Sequence, residues 1–200
     1  MGGDSMRVRP GLDRAAVVRA AADLFDAAGG GDVTLAELAR HLGVRTPSLY
    51  NHIGGQDELR HELAVYGARE LAAWMGRAAI GKSGDSAVVA IAEAYRAFAR
   101  ERPGLYRITL RAPDGGDEAL QSASAEILTI LQLVLSHYQL SQTGEIHAIR
   151  GLRSLVHGFV SLELAGGFGY PVDVDESFHC LLSMFLGGLR RESEETGFRS

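Results

Sequence analysis

Residues 34–53 read TLAELARHLGVRTPSLYNHI, and the fold turns on this stretch. Thr34, with Glu37 three residues on, is the signature of a capping box and opens a helix at Leu35. Leu35, Leu38, Ala39 and Leu42 recur at helical spacing and give that helix one apolar face. Gly43 stops it. Thr46-Pro47 starts a second helix, with Thr46 as cap and Pro47 at the first helical position, where a missing N–H costs nothing. Leu49 and Ile53 lie one turn apart and face inward. Two short helices joined by a Gly-containing turn make a helix-turn-helix pattern.

That pattern has a direct use. The first helix props the second against a small core, and the major groove of DNA is wide enough to admit one helix. With Leu49 and Ile53 turned in, Pro47, Ser48, Asn51 and His52 are left on the other side. They are short or planar and include both donors and acceptors, while the hydroxyl of Tyr50 can reach a phosphate. Arg45 has the chemistry to hold a guanine. From Ala39 to Ile53 there are two arginines, Arg40 and Arg45, and no acid. A local positive stripe of this kind serves a reading head even though the chain carries a net charge of −5. Spacing alone does not separate this reading from a helical pair that never touches DNA.

The rest of the chain is helical in pattern and has no period-two strand signal, so the fold class is all-α, with about nine helices. Residues 1–11 are expected to form a flexible arm bearing Arg7 and Arg9. The first helix starts after Asp13, with Leu12 and Val17 placed as a hydrophobic staple, and ends at Gly29. Gly54-Gly55 separates a head, residues 12–55, from a larger body, residues 56–200. Body helices are expected over 56–79, 84–101, 103–111, 115–139, 143–165 and 174–191.

The last two of these are broadly apolar. Leu152, Leu155, Phe159 and Leu162 run down one, and Phe178, Leu182, Phe185 and Leu189 down the other. Stripes that wide suggest burial on two sides, here the chain's own core and a second copy in a four-helix dimer interface. The reading with an internal core only stays open.

Hydrophobic residues make up 46% of 200, enough for a sizeable core without staples. The single cysteine, Cys180, excludes an internal disulfide framework and sits on an apolar helix, where burial is expected. No charge-free apolar run reaches about 18 residues, so no membrane partner is expected. Residues 1–10 lack a signal peptide's apolar stretch, which points to the cytoplasm. Catalytic patterns are missing. His61-Glu62 has no second histidine at metal spacing, and no Gly-x-Ser-x-Gly, phosphate loop or dinucleotide fingerprint occurs, so neither a catalytic nor a metal site is assigned.

Residues 12–60 resemble the reading head of the tetracycline-repressor (TetR) family, whose pattern is a Thr-capped helix, then Leu-Gly-Val, then Ser/Thr-Leu-Tyr-x-His. Here these are Thr34, Leu42-Gly43-Val44 and Ser48-Leu49-Tyr50-Asn51-His52. The resemblance implies that Thr46, Pro47 and Ser48 approach base edges, and that Tyr50, His52 and Thr34 hold phosphates. The family usually has a lysine four residues after the motif histidine. Here that position is Gln56, followed by Asp57 and Glu58, so weaker affinity or compensation by Arg7 and Arg9 is expected.

Arg102–Arg107 and Val156-His157-Gly158 resemble a body subgroup with a Trp-His-Gly motif, the first residue here being Val156. The implied function is a ligand-responsive repressor that binds a palindromic DNA operator as a homodimer and requires no cofactor. Its effector is an unidentified small hydrophobic or aromatic molecule. Candidate pocket linings are Tyr66, Trp74, Tyr95, Phe98, Tyr106 and His157, although residues of this kind at helical spacing are more often plain core. Two other classes stay open on the residues alone: an all-helical protein-interaction module, and a small helical enzyme.

Overall fold

The structure, a computed structural model, describes residues 12–110 and 115–197. Among these residues the elements are α1 (Arg14–Ala27), α2 (Leu35–Leu42), α3 (Thr46–Leu49), α4 (Gln56–Ala79), α5 (Gly84–Glu101), α6 (Pro103–Ile108), α7 (Glu118–Leu135), a 3-10 turn (Ser136–Tyr138), α8 (Gln142–Leu164) and α9 (Val174–Gly197). The arm with Arg7 and Arg9 lies outside the described residues.

Side chains set most of the helix starts. The Asp13 carboxylate accepts from the Ala16 N–H at 2.6 Å, Asp117 from Leu120 at 3.0 Å and Ser141 from Gly144 at 3.0 Å, each satisfying a donor the helix cannot pair itself. Asp117 also takes the His61 ring at 2.9 Å, which ties the start of α7 to α4 and holds the carboxyl below its usual range.

The body helices match their expected bounds to within a few residues, α6 ending at Ile108 and α7 starting at Glu118, except that α9 runs on to Gly197 where an end at 191 was expected. The second helix of the motif is corrected by one position. Arg45 occupies the cap without a side-chain bond, so Thr46 and not Pro47 is the first helical residue. Pro47 still falls within the first turn, where its ring displaces no hydrogen bond.

One contiguous core runs through the described chain, from Val17, Leu38, Leu49 and Ile53 in the first helices to Phe98, Leu105, Phe178 and Leu182 behind them. α4 packs against α1, α5, α6 and α7, and so connects the first helices to the rest.

α8 and α9 form an antiparallel pair. Phe159 packs on Phe178 (ring centroids 5.0 Å apart), a Cβ at Gly151 would meet Phe185 at 3.1 Å, and Gly144 faces Glu192. Arg96 of α5 pins this hairpin. Its guanidinium donates to both carboxylate oxygens of Glu163 (2.8 and 2.6 Å), reaches Asp175 at 2.7 Å, and lies against the rings of Phe159 and Phe178 at 5.4 and 4.9 Å.

This packing changes two expectations, and a third observation concerns the stretch from Glu118 to Tyr138. Leu152, Phe159, Phe178, Leu182 and Leu189 are buried within a single chain, because the apolar stripes of α8 and α9 face α5 and each other. Of the residues expected to face a second copy, Leu162 is exposed and Leu155 and Phe185 are half-buried. Cys180 is exposed, not buried, since Phe178 and Leu182 turn inward and carry it to the opposite face. Finally, Glu118–Tyr138 is long and apolar enough by length and composition to cross a membrane, with mean hydropathy 1.3. The charge-free criterion missed it because Glu118 and Glu126 interrupt the run.

Candidate functional site

The helix-turn-helix is built as its residues require. Thr34 and Glu37 form both arms of the capping box, at 3.2 Å from the Glu37 N–H to the Thr34 hydroxyl and 2.9 Å from the Thr34 N–H to the Glu37 carboxylate. Gly43 closes α2 at φ 68°, a left-handed conformation that an L side chain resists. Leu49 and Ile53 are fully buried. Arg45, Pro47, Tyr50 and Asn51 are thereby exposed, and Thr46, Ser48 and His52 half-buried, along one ridge. Tyr50 is 56% exposed, far more than an aromatic ring placed for packing.

Within the described residues, the side chains of Arg45, Thr46, Ser48, Tyr50, Asn51 and His52 make no hydrogen bond or ion pair, so their donors and acceptors are free for a partner. Thr34 differs. Its hydroxyl donates to Glu37 at 2.7 Å and is engaged in the cap.

Contacts across long sequence separations hold the ridge, and nothing in the sequence pattern marked them. Arg14 of α1 donates to the His52 carbonyl at 3.2 Å and to Glu58 and Glu62 of α4 at 2.5 and 2.9 Å. Glu58 also accepts from the Gly54 N–H at 2.5 Å, and that bond, with Arg14, keeps its carboxyl below the usual range. The anion that stood close to the motif is thus tied into the junction. Gln56 donates to the Val33 carbonyl at 2.6 Å and fixes the start of α4 to the loop before α2.

A cavity of about 570 Å³ lies among α4, α5, α7 and α8. Of the aromatic residues expected to line it, only Tyr95 does so. Trp74 and Phe98 pack edge-to-face in the core at 5.7 Å, and Tyr66 is half-buried on α4. Tyr106 and His157 share a hydrogen bond beside the cavity, and Tyr106 stands edge-on to Tyr95 at 5.7 Å. Burial pushes the Tyr95 phenol well above its usual range, so it is present as a neutral donor. The remaining walls are mainly aliphatic, among them Leu71, Met75, Ile91, Leu131, Leu152 and Val156. None of these residues stood out in the sequence as a lining. Among the described residues no group of three or more His, Cys, Asp or Glu is placed to hold a metal.

Two elements connect cavity and ridge. α4 supplies Leu71 and Met75 to the cavity wall and carries Gln56 and Glu58 at its other end. α6 holds Tyr106 and is clamped to α1. Asp26 accepts from the Leu105 N–H at 2.9 Å and from the Arg102 guanidinium, and Arg107 donates to the Gly29 carbonyl at 2.8 Å. Gly104 makes this clamp sterically feasible, since a Cβ there would sit 2.5 Å from the Phe25 carbonyl oxygen.

Comparison with known proteins gives the same assignment for both parts. Residues 17–63 match the family described as bacterial regulatory proteins, tetR family, and residues 88–185 match the tetracyclin repressor-like C-terminal domain. The chain is 39% identical over 185 residues to the uncharacterized HTH-type transcriptional regulator YobS of Bacillus subtilis, covering 92% of this chain and 96% of that one. It is 31% identical over 194 residues to the uncharacterized HTH-type transcriptional regulator Rv0681 of Mycobacterium tuberculosis, covering 94% and 87%. A variant of TetR from Acinetobacter baumannii AYE, solved in complex with minocycline, shares the fold with a TM-score of 0.66 at 22% identity, over 90% of this chain and 97% of that one. A helix-turn-helix with an unpaired polar ridge, on an all-helical body of matching family, makes this chain a member of the TetR family of DNA-binding transcriptional regulators.

Proposed function

We propose that the chain is a ligand-responsive repressor that reads a palindromic operator as a homodimer. Residues 12–55 serve as the reading head and 56–200 as the ligand-binding and dimerising body. The observation that carries this reading is the ridge on α3 and the turn after it, where Arg45, Thr46, Ser48, Tyr50, Asn51 and His52 present polar groups with no partner among the described residues. Thr46, Pro47 and Ser48 approach base edges and Arg45 a guanine. Tyr50, Asn51 and His52 stand over the backbone and the groove edge, and the Thr34 end of α2 offers its N-terminal dipole to a phosphate.

Two heads are required for a palindrome, about 34–36 Å apart on successive major grooves. The outer faces of α8 and α9 supply the contact. Leu162 and Met184 are 53% and 74% exposed, and a Cβ at Gly158 or Gly188 would meet nothing within 4 Å, so a second chain has room to approach. In the induced state a ligand in the cavity displaces α4 and α6, and the Asp26 and Gln56 contacts carry that displacement to α1 and the ridge. Such a switch operates only if the ligand binds the two states with different affinity. The TetR variant solved with minocycline is a neighbour in fold with a small molecule bound. The protein works where the DNA is, in the cytoplasm, with no catalytic step.

Selection of bound duplexes from a random DNA pool tests the reading. The expected result is an enriched near-palindrome with half-sites about one helical turn apart. No enrichment at any salt concentration, with or without the bound effector, would favour a protein-interaction module.

A further inference from the structure

The cavity has a charged side that its apolar walls do not explain. Arg150 and Arg153 belong to its lining, and among the described residues no aspartate or glutamate does, in a chain whose net charge is −5. The two arginines stand three residues apart on α8 and share a face, where like charges repel. Among the described residues Arg150 has no hydrogen bond or ion pair, and Arg153 reaches only the Leu110 carbonyl, at 3.4 Å. Arg14, Arg60, Arg96, Arg102 and Arg190, by contrast, each hold a carboxylate of the chain. Both cavity arginines are exposed, at the mouth between α7 and α8, while Leu71, Met75 and Ile91 form aliphatic walls further in. The site thus pairs a greasy interior with a cationic rim, and its one aromatic wall residue, Tyr95, leaves little surface for stacking a flat ring.

We infer that the cavity takes an amphipathic anion: an aliphatic chain lodged among α4, α5 and α7, with a terminal carboxylate held between Arg150 and Arg153. This rests on the cavity being a ligand site and names the class of ligand. A guanidinium fork fits a planar carboxylate with two parallel hydrogen bonds, and two such forks on one helix face define where the head group stops. An anion there also relieves the repulsion between the arginines. Because the rim is open to water, the charge contributes a moderate preference and is screened by salt.

Calorimetric titration of the full chain with dodecanoate and with 1-dodecanol, both below their aggregation limits, separates tail from head. Dodecanoate is expected to bind about tenfold tighter than the alcohol at low salt, a difference of about 1.4 kcal/mol. The preference should shrink at high salt and vanish in the R150Q/R153Q double variant, with alcohol affinity and melting temperature unchanged. Equal binding of acid and alcohol would overturn the inference while leaving the cavity a ligand site. A preference that survives in the double variant would overturn the assignment to these arginines. Binding of neither probe would overturn both the inference and the reading of the cavity.

Discussion

Gln56, the first residue of α4, donates its side-chain amide to the carbonyl of Val33, 23 residues earlier, at 2.6 Å. The family places a lysine there, and its absence read as a lost phosphate grip. The amide instead fastens α4 to the loop that leads into α2. Gln56→Ala is expected to destabilise the fold by about 1 kcal/mol, the usual net worth of one hydrogen bond, measured by urea unfolding. Gln56→Lys should tighten nonspecific DNA binding and steepen its dependence on salt concentration by about one counterion. An unchanged salt slope would mean that position 56 stands away from the backbone.

The exposed ridge separates positioning from reading. Tyr50→Phe removes a hydroxyl that nothing among the described residues uses, so melting temperature should stay the same. Affinity should fall by about 1 kcal/mol on every sequence alike, as for a lost phosphate contact. Arg45→Ala should instead cost about 1–3 kcal/mol and relax the base preference at one operator position. Binding selection on each variant, beside the native protein, checks both. A uniform loss for Arg45→Ala would place that side chain on the backbone.

Local pattern carried the reading of the elements but not of the joints. The capping box at Thr34-Glu37, the stop at Gly43 and the inward pair Leu49 and Ile53 all follow from spacing within a turn or two, so they were legible. Arg14, Arg96 and Asp26 were not. Each looks like a surface charge on its own helix, and its partner lies 38 to 79 residues away. Leu152, Phe159, Phe178, Leu182 and Leu189, expected at a dimer interface, are enclosed within one chain for a related reason. A broad apolar stripe tells that a helix is covered, and α5 covers much of what a second chain was expected to cover. Of the candidate pocket residues Tyr95 lines the cavity, and the aliphatic lining carried no signal that set it apart from core. Trp74 and Phe98 spend their rings on each other.

The clamp between α1 and α6 is a coupled unit. Asp26 serves both the Arg102 guanidinium and the Leu105 N–H, and the two charged side chains are only 10% and 22% exposed. Asp26→Asn should destabilise the protein by about 2 kcal/mol, somewhat less than a fully buried pair, since the amide oxygen can still accept from Leu105. Combined with Arg102→Gln, the loss should fall well short of the sum, which a double-mutant cycle in urea measures. Strict additivity would show that the two side chains act separately.

His179 links α9 to α5 with pH-dependent strength. One ring nitrogen meets the Glu93 carboxylate and the other the Asp175 carbonyl, both at 2.8 Å, so both nitrogens face acceptors and the cation is favoured. Glu93 first, then the Asp175 carbonyl, raise its pKa above the ordinary 6.5. A raised folded value means that the stabilisation is full below pH 6.5 and is lost as pH rises through the folded value. The His179 ring proton should titrate above 6.5 by NMR, and the melting temperature of the native protein should lose ground to that of His179→Gln as pH rises past that point. A ring titrating at or below 6.5 would break the link.

Exposure within one chain marks the apolar residues left over for the proposed second copy. Met184 on α9 is 74% exposed and Leu162 on α8 is 53% exposed, whereas Phe178 and Leu182 are fully enclosed. Met184→Glu places a charge where a single chain leaves only water, so it should cost the monomer fold little. In a dimer built on the outer faces of α8 and α9 the same charge would be desolvated without a partner. Light scattering on the eluting protein should then show a dimer for the native chain and a folded monomer for Met184→Glu, with operator affinity falling because one head reads only one half-site. Phe178→Glu should unfold the chain outright. A native chain that elutes as a monomer, or a Met184→Glu variant that stays dimeric, would move the interface away from this face.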